Sequence, residues 1–181
     1  DEVKKGNRVP VNAGATAPAG KEAQIYFLTA EQQKYIDDAL EMVEDIVAGA
    51  RRAGRDVTLL VREGEGQGTV LLREGAMRRA VDNLISNGVR YGARAEVSVM
   101  LSDKTLRIRV EDDGPGIPEG QREQAIRPFT RLDPSRNQDK GGGVGLGLAI
   151  AVDIARSHGG VLRLGASERM GGLRADIVIA R

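Results

Sequence analysis

The chain has 181 residues, 40% of them hydrophobic, which suits one packed domain with an extension. Its 27 Lys+Arg against 26 Asp+Glu leave a net charge of +1, a balance that points to neither nucleic acid nor a membrane surface. The absence of cysteine excludes disulfides and thiolate metal sites, the single histidine, His158, excludes a multi-histidine centre, and no apolar run approaches the ~18 residues of a membrane span.

The first stretch, DEVKKGNRVPVNAGATAPAG, is polar and aperiodic, so residues 1–28 are expected to be a flexible leader or linker ahead of a domain over 29–181. No secretory leader is evident, and a cytoplasmic location is expected. A helix is predicted from Thr29, where Thr29 and Gln32 have capping-box spacing. Ile36, Leu40, Val43 and Val47 form its apolar face, and Gly54 closes it. Val57–Val61 and Thr69–Leu72 read as two short strands of a hairpin around the turn EGEGQG. A second helix spans Arg73–Arg90, with Met77, Val81 and Leu84 facing the core. Ala95, Val97, Val99 and Leu101 alternate with polar residues, as do Leu106, Ile108 and Val110, and the turn SDKT joins them as a hairpin. Pro118–Gly142 is a long segment of mixed charge, of the kind that serves as a lid. Val144–His158 reads as a third helix ended by Gly159–Gly160, and strands at Val161–Leu164 and Leu173–Ile179 follow. The order predicts an α+β fold, with helices on one face of a mixed sheet.

Three stretches carry chemistry. DKGGGVGLGLAI, Asp139–Ile150, places five glycines within seven residues at the start of the third helix. Such a turn offers outward N–H groups and a helix dipole to an anion, although an isolated glycine cluster also serves as a flexible loop. It lacks the Gly-Lys-Ser/Thr of a Walker motif and the preceding strand of a Rossmann motif. In AVDNLISNGVRYG, Asn83 and Asn87 share one helix face, which Arg90 and Tyr91 extend. An asparagine carboxamide oxygen is a hard ligand suited to Mg²⁺. The same pair alone would fit a solvated surface. In VEDDGPGIPEG, Asp112, Gly114 and Gly116 form D-x-G-x-G at a strand end. A carboxylate there can accept from an exocyclic amine, or the stretch can be an ordinary Asp-Gly turn.

Taken together, NLISNGVRY, VEDDGPGI, RPFTRLD and GVGLGLAI, in this order and spacing, resemble the catalytic ATP-binding domain of bacterial sensor histidine kinases, most of all the osmosensor-type membrane kinases. The resemblance runs from about Asp37 onward, and SERMGGLRADIVI matches that family's last glycine box and closing strand. It implies a Bergerat-type α/β sandwich with a long ATP lid. It implies ATP and Mg²⁺ as ligands, with Asn87 on the metal and Asn83 helping to position it or the phosphates. Arg90 would lie near the phosphates and Tyr91 beside the nucleotide. Asp112 would read the adenine amine, and Gly114, Gly116 and Ile117 would shape the base pocket. Phe129 would anchor the lid. Gly143, Gly145 and Gly147, with Val144, Leu146 and Leu148 between and after them, would cradle the phosphates. Gly141 and Gly142 would add hinge freedom, and the lid cations Arg122, Arg131, Arg136 and Lys140 would be solvated surface groups, the alternative being contact with the γ-phosphate.

No phosphoacceptor motif such as His-Glu-Leu/Phe-Arg-x-Pro is present. The partners implied are therefore a phosphoacceptor (dimerisation) domain on another segment or chain and, through it, a response regulator, within a kinase anchored in the inner membrane. His158 ends a helix opposite the glycine loop and is not expected to be the acceptor. Hydrolases of the same fold carry glutamate where Asn83 stands, and an amide cannot act as a base toward water. Two alternatives are a nucleotide-sensing module without chemistry and an anti-sigma-type serine kinase.

Overall fold

A computed structural model describes residues 30–61, 70, 72–130 and 145–180, with side chains from residue 39 onward except that of Val61. Helix α1 is Ala30–Arg52, strand β1 Asp56–Val61 and helix α2 Glu74–Tyr91. Strands β2 (Arg94–Leu101) and β3 (Thr105–Asp112) follow. The short helix α3, Arg122–Ala125, is entered by a 3₁₀ turn over Glu119–Gln121. Helix α4 is Gly147–Ser157, and strands β4 (Gly160–Ala166) and β5 (Leu173–Ala180) complete the fold. The predicted leader, the Thr29 cap and the Ile36 side chain lie outside the described residues, as do Arg131, Arg136, Lys140 and Gly141–Val144.

Five strands make one mixed sheet in the order β1-β2-β3-β5-β4. Alternation decides which face is covered. Ala95, Val97, Val99 and Leu101 are buried, and they pair across the β2–β3 hairpin with Asp112, Val110, Ile108 and Leu106. Ile108 and Ile177, partners in β3 and β5, are fully buried at the centre. Helices α1, α2 and α4 cover this single face, contributing Val43, Val47, Met77, Val81, Ile85, Ala151 and Ala155. Each fully buried aliphatic side chain contributes roughly 1.5–3 kcal/mol. The opposite face is polar, and Arg109 there grips Asp176 with two bonds of 2.6 and 3.1 Å. This is the α+β sandwich with one-sided helices that the sequence predicts.

Two expectations need correction. The expected hairpin over residues 57–72 is not seen among the described residues, which leave out 62–69 and 71. Strand β1 instead pairs in parallel with β2, from Asp56↔Arg94 to Val61↔Val99, so α2 is a crossover. Val70 and Leu72 stand outside any strand and pack half-buried against the core, which satisfies the apolar pattern that suggested one. The third predicted helix begins at Gly147 rather than Val144, because Gly145 has φ +74° and cannot be helical. Its end is as expected. Gly159, at φ +69°, terminates the last turn.

Among the described residues, no helix is long and apolar enough to cross a membrane.

Candidate functional site

The site forms where the C-terminal half of α2, the end of β3 and the start of α4 meet. Asp112 is the last residue of β3 and is 6% exposed. Its Oδ1 accepts N–H bonds from Gly114 at 2.9 Å and from Leu173 at 3.1 Å. Both donors use the same oxygen, which leaves Oδ2 to other partners. Burial pushes this carboxyl above the ordinary aspartate range, against the pull of its two backbone donors.

Four glycines let other backbone come this close. A Cβ on Gly172 would collide with Oδ1 and the carbonyl oxygen of Asp112. One on Gly114 would stand 2.9 Å from Asp112 Oδ1 and 3.0 Å from Gly92 N. One on Gly88 would stand 3.2 Å from Asp112 Cβ. Gly116 has φ +69°, a turn that only glycine takes freely. Its neighbour Ile117 is half-buried, and the Ile117 carbonyl accepts from Arg122 Nε at 3.1 Å. Arg122 thus pins the loop, in place of the solvated role expected for it.

Asp113 has the opposite environment. Its Oδ1 accepts from Ala93 N–H at 2.7 Å and Arg94 N–H at 2.8 Å. These bonds hold its carboxyl below the ordinary range and fasten the β3 end to the β2 start.

Helix α2 joins this end to the other half of the site. Gly88 packs on Asp112, and Asn87, one residue earlier, faces α4. A Cβ on Gly147 would stand 3.0 Å from Asn87 Nδ2 and 3.2 Å from Asn87 Oδ1. The first residue of α4 therefore rests directly on the Asn87 carboxamide. A Cβ on Gly145 would stand 2.7 Å from the Thr130 carbonyl oxygen, so the loop before α4 also touches the end of the 118–130 segment. Leu146 and Leu148 are half-buried beside it, and Leu148 packs against the core. One turn before Asn87, Asn83 is half-buried, and its Nδ2 is buried with no hydrogen-bond partner. A buried amide group left unpaired costs ~1–3 kcal/mol. The position calls for a further polar group. Tyr91 is 50% exposed, and the Arg90 guanidinium lies over its ring at 5.9 Å from the centroid.

The structure brings Asn83, Asn87, Asp112, Gly114, Gly116, Gly145 and Gly147 into one region. Phe129 departs from expectation. Its backbone is left-handed at φ 61° and its ring is 72% exposed, and among the described residues it is the backbone of residues 129–130 that meets Gly145. Gly143 and Val144 lie outside the described residues. Gly88, Gly92, Asp113, Gly172 and the Leu173 N–H were not assigned from the sequence, although the Gly-Gly pair in SERMGGLR marks where the last two act.

The residues fit a nucleotide with a hard cation. Among the described residues no group of three His, Cys, Asp or Glu side chains could hold a metal alone. A metal at Asn87 would draw its other ligands from water and a polyphosphate, as Mg²⁺ commonly does.

Comparison with known proteins bears on the nucleotide half of that fit. Residues 72–180 match the family described as histidine kinase-, DNA gyrase B-, and HSP90-like ATPase. The chain is 48% identical over 99 residues to the sensor protein RstB of Escherichia coli, covering 54% of this chain and 22% of RstB. It is 42% identical over 106 residues to the sensor histidine kinase GtrS of Pseudomonas aeruginosa, covering 59% of this chain and 21% of GtrS. The chain thus spans about a fifth of the length of these curated relatives. The solved histidine kinase domain of the E. coli osmosensor EnvZ superposes with a TM-score of 0.56 at 34% identity, over 77% of this chain and 83% of that one.

Proposed function

Because the chain belongs to the histidine kinase-, DNA gyrase B-, and HSP90-like ATPase family, we propose that residues 29–181 are the catalytic ATP-binding domain of a sensor histidine kinase. The domain binds Mg-ATP and donates the γ-phosphate to a histidine on a dimerisation and phosphoacceptor domain, from which a response regulator is served. The full kinase is anchored in the inner membrane, with this domain on the cytoplasmic side.

One observation carries the reading. Asn83, with its buried unpartnered amide, stands one turn before Asn87, whose carboxamide meets Gly147. An amide takes no proton near neutral pH, so this position cannot activate water. It can hydrogen-bond a phosphate or a metal-bound water. The pair suits a site that holds polyphosphate for transfer rather than hydrolysing it.

In this reading Asp112 accepts from the adenine amine through Oδ2, while Gly88, Gly114, Gly116 and Gly172 keep the base slot open. Asn87 would give a bound metal one neutral oxygen, and Arg90 would add positive charge. Gly145 and Gly147, and Gly143 before them, let the backbone approach the phosphates at the N-terminus of α4. Bound Mg²⁺ would neutralise charge on the β- and γ-phosphates. Transfer breaks the bond from γ-phosphorus to the bridging oxygen, which leaves with ADP. A nitrogen–phosphorus bond forms to the acceptor imidazole, whose ring proton passes to solvent. This chain contributes position and charge and no general base.

Calorimetric titration with ATP, with and without Mg²⁺, tests the binding half. Mixing with candidate acceptor domains and γ-labelled ATP tests the transfer half. Acid-labile label on the acceptor, lost with Asn87→Ala, is the expected result. Wild-type transfer by Asn87→Ala, or release of phosphate without any acceptor, would overturn the reading.

A further inference from the structure

The turn between β4 and β5, residues 167–172, grips the end of β3 from both sides. Glu111 and Asp112 are consecutive in β3, so their side chains leave on opposite faces of the sheet. On the Asp112 side, Gly172 N–H donates to the Asp112 carbonyl at 3.0 Å, and Leu173 N–H donates to Oδ1 at 3.1 Å. On the other side, Ser167 Oγ donates to Glu111 Oε1 at 2.8 Å. Both partners are buried, Ser167 at 3% exposure and Glu111 at 8%.

Ser167 also organises the turn. Its Oγ accepts Met170 N–H at 3.0 Å, its carbonyl accepts Gly171 N–H at 2.8 Å, and its own N–H donates to the Gly172 carbonyl at 2.8 Å. Arg169, in the same turn, pairs with Glu96 and lies 4.0 Å from Glu111. Glu96 and Glu111 sit directly opposite across β2 and β3, a like-charge pair that is unfavourable without a cation. A hydrogen bond to a buried carboxylate is among the stronger kinds and is expensive to leave unmade. Glu111 thus holds the turn that presents Leu173 N–H to the neighbouring Asp112.

We propose that Ser167 and Glu111 are positioning residues for base recognition. Their bond sets the β4–β5 turn so that Leu173 N–H occupies Oδ1 of Asp112 and leaves Oδ2 to accept from the adenine amine. The proposal rests on the reading of Asp112 as the base-recognising carboxylate. The two residues touch no nucleotide themselves. They act through the turn, and their loss should blunt the choice of base more than the grip on phosphate.

The test compares Mg-ATP with Mg-inosine triphosphate, which carries a carbonyl in place of the 6-amine. Wild type should prefer ATP by about tenfold or more, the factor expected for one unsatisfied buried group. In Ser167→Ala that preference should fall to within about threefold, through weaker ATP binding, because the lost contact is the one that tells the bases apart. Glu111→Ala should behave alike. Glu111→Gln, whose amide oxygen still accepts from Ser167, should retain the preference. Without nucleotide, hydrogen exchange in Ser167→Ala should speed up at Leu173 and stay slow at Ile177. Equal weakening of both nucleotides, an unchanged preference, or undiminished protection at Leu173 would each overturn the proposal. A wild type indifferent to the two nucleotides would instead refute the role of Asp112, and the exchange result would then decide alone whether the Ser167–Glu111 bond holds the turn.

Discussion

Asp112 and Asp113 are adjacent, yet their surroundings push their carboxyls in opposite directions. Asp112, raised by burial, contributes stability that is fully present below 3.8 and is lost as pH rises through its folded value. Asp113, lowered by two backbone donors, contributes stability that is present above 3.8 and is lost as pH falls through its folded value. Their windows lie on either side of 3.8 and can be separated. Asp112→Asn keeps an oxygen for Gly114 and Leu173 but cannot ionise. Denaturant titrations should show wild-type stability declining as pH rises above about 4 and the variant lacking that decline, while ATP affinity in the variant falls about tenfold or more. A variant with the wild-type pH profile would show that another group is responsible. At this scale the sequence singled out Asp112, Asn83 and Asn87 by their side chains, which the structure brings into one region. It was silent on Leu173, which acts through its backbone N–H, and on Gly88 and Gly172, whose role is to be absent from space that Asp112 fills.

Gly147 shows how an element's first residue can serve the site at its own expense. Alanine there would favour the helix by roughly 0.5–1 kcal/mol. It would also press on the Asn87 carboxamide at 3.0 Å. Gly147→Ala is therefore expected to leave the melting temperature unchanged or raised while lowering Mg-ATP affinity, with little effect on metal-free ATP. Unaltered Mg²⁺ dependence in calorimetry would contradict the metal role proposed for Asn87. The segment from Pro118 to Thr130 touches the site through its last residues, at Gly145. Hydrogen exchange over residues 118–130 should slow on adding a non-hydrolysable ATP analogue, and equal rates would argue against closure. Elements with one buried face were legible from the sequence, because alternation in β2 and β3 and the 3.6 period in α2 state which side is apolar. The partner of β1 was not legible, since Val57–Val61 carries no signal for parallel or antiparallel pairing. The start of α4 was hidden because a positive φ at Gly145 leaves no mark among five glycines within seven residues.

Across the whole molecule, His158 lies at the far end of α4 from the glycine loop, about 16 Å along the axis at ~1.5 Å per residue. Its Nε2 accepts Arg73 N–H at 3.0 Å, and its Nδ1 lies 2.8 Å from the Ile154 carbonyl. That pairing puts the ring proton on Nδ1, leaves no nitrogen free to attack, and ties the end of α4 to the start of α2. This chain incubated with Mg-ATP should acquire no acid-labile phosphate, and label that vanishes in His158→Gln would prove the opposite. The order β3-β5-β4 has a wider effect. Asp112 is steadied by Leu173, which follows it by 61 residues. A chain growing on the ribosome therefore displays both asparagines, the aspartate and the glycine loop well before it has the strand that orders them. The Leu173 N–H bond to Asp112 can form only when the start of Leu173–Ala180 has emerged. On the proposed reading, a polypeptide halted at Met170 would hold both asparagines, Asp112 and the glycine loop but lack Gly172 and Leu173, and is expected to bind ATP more weakly than the full chain.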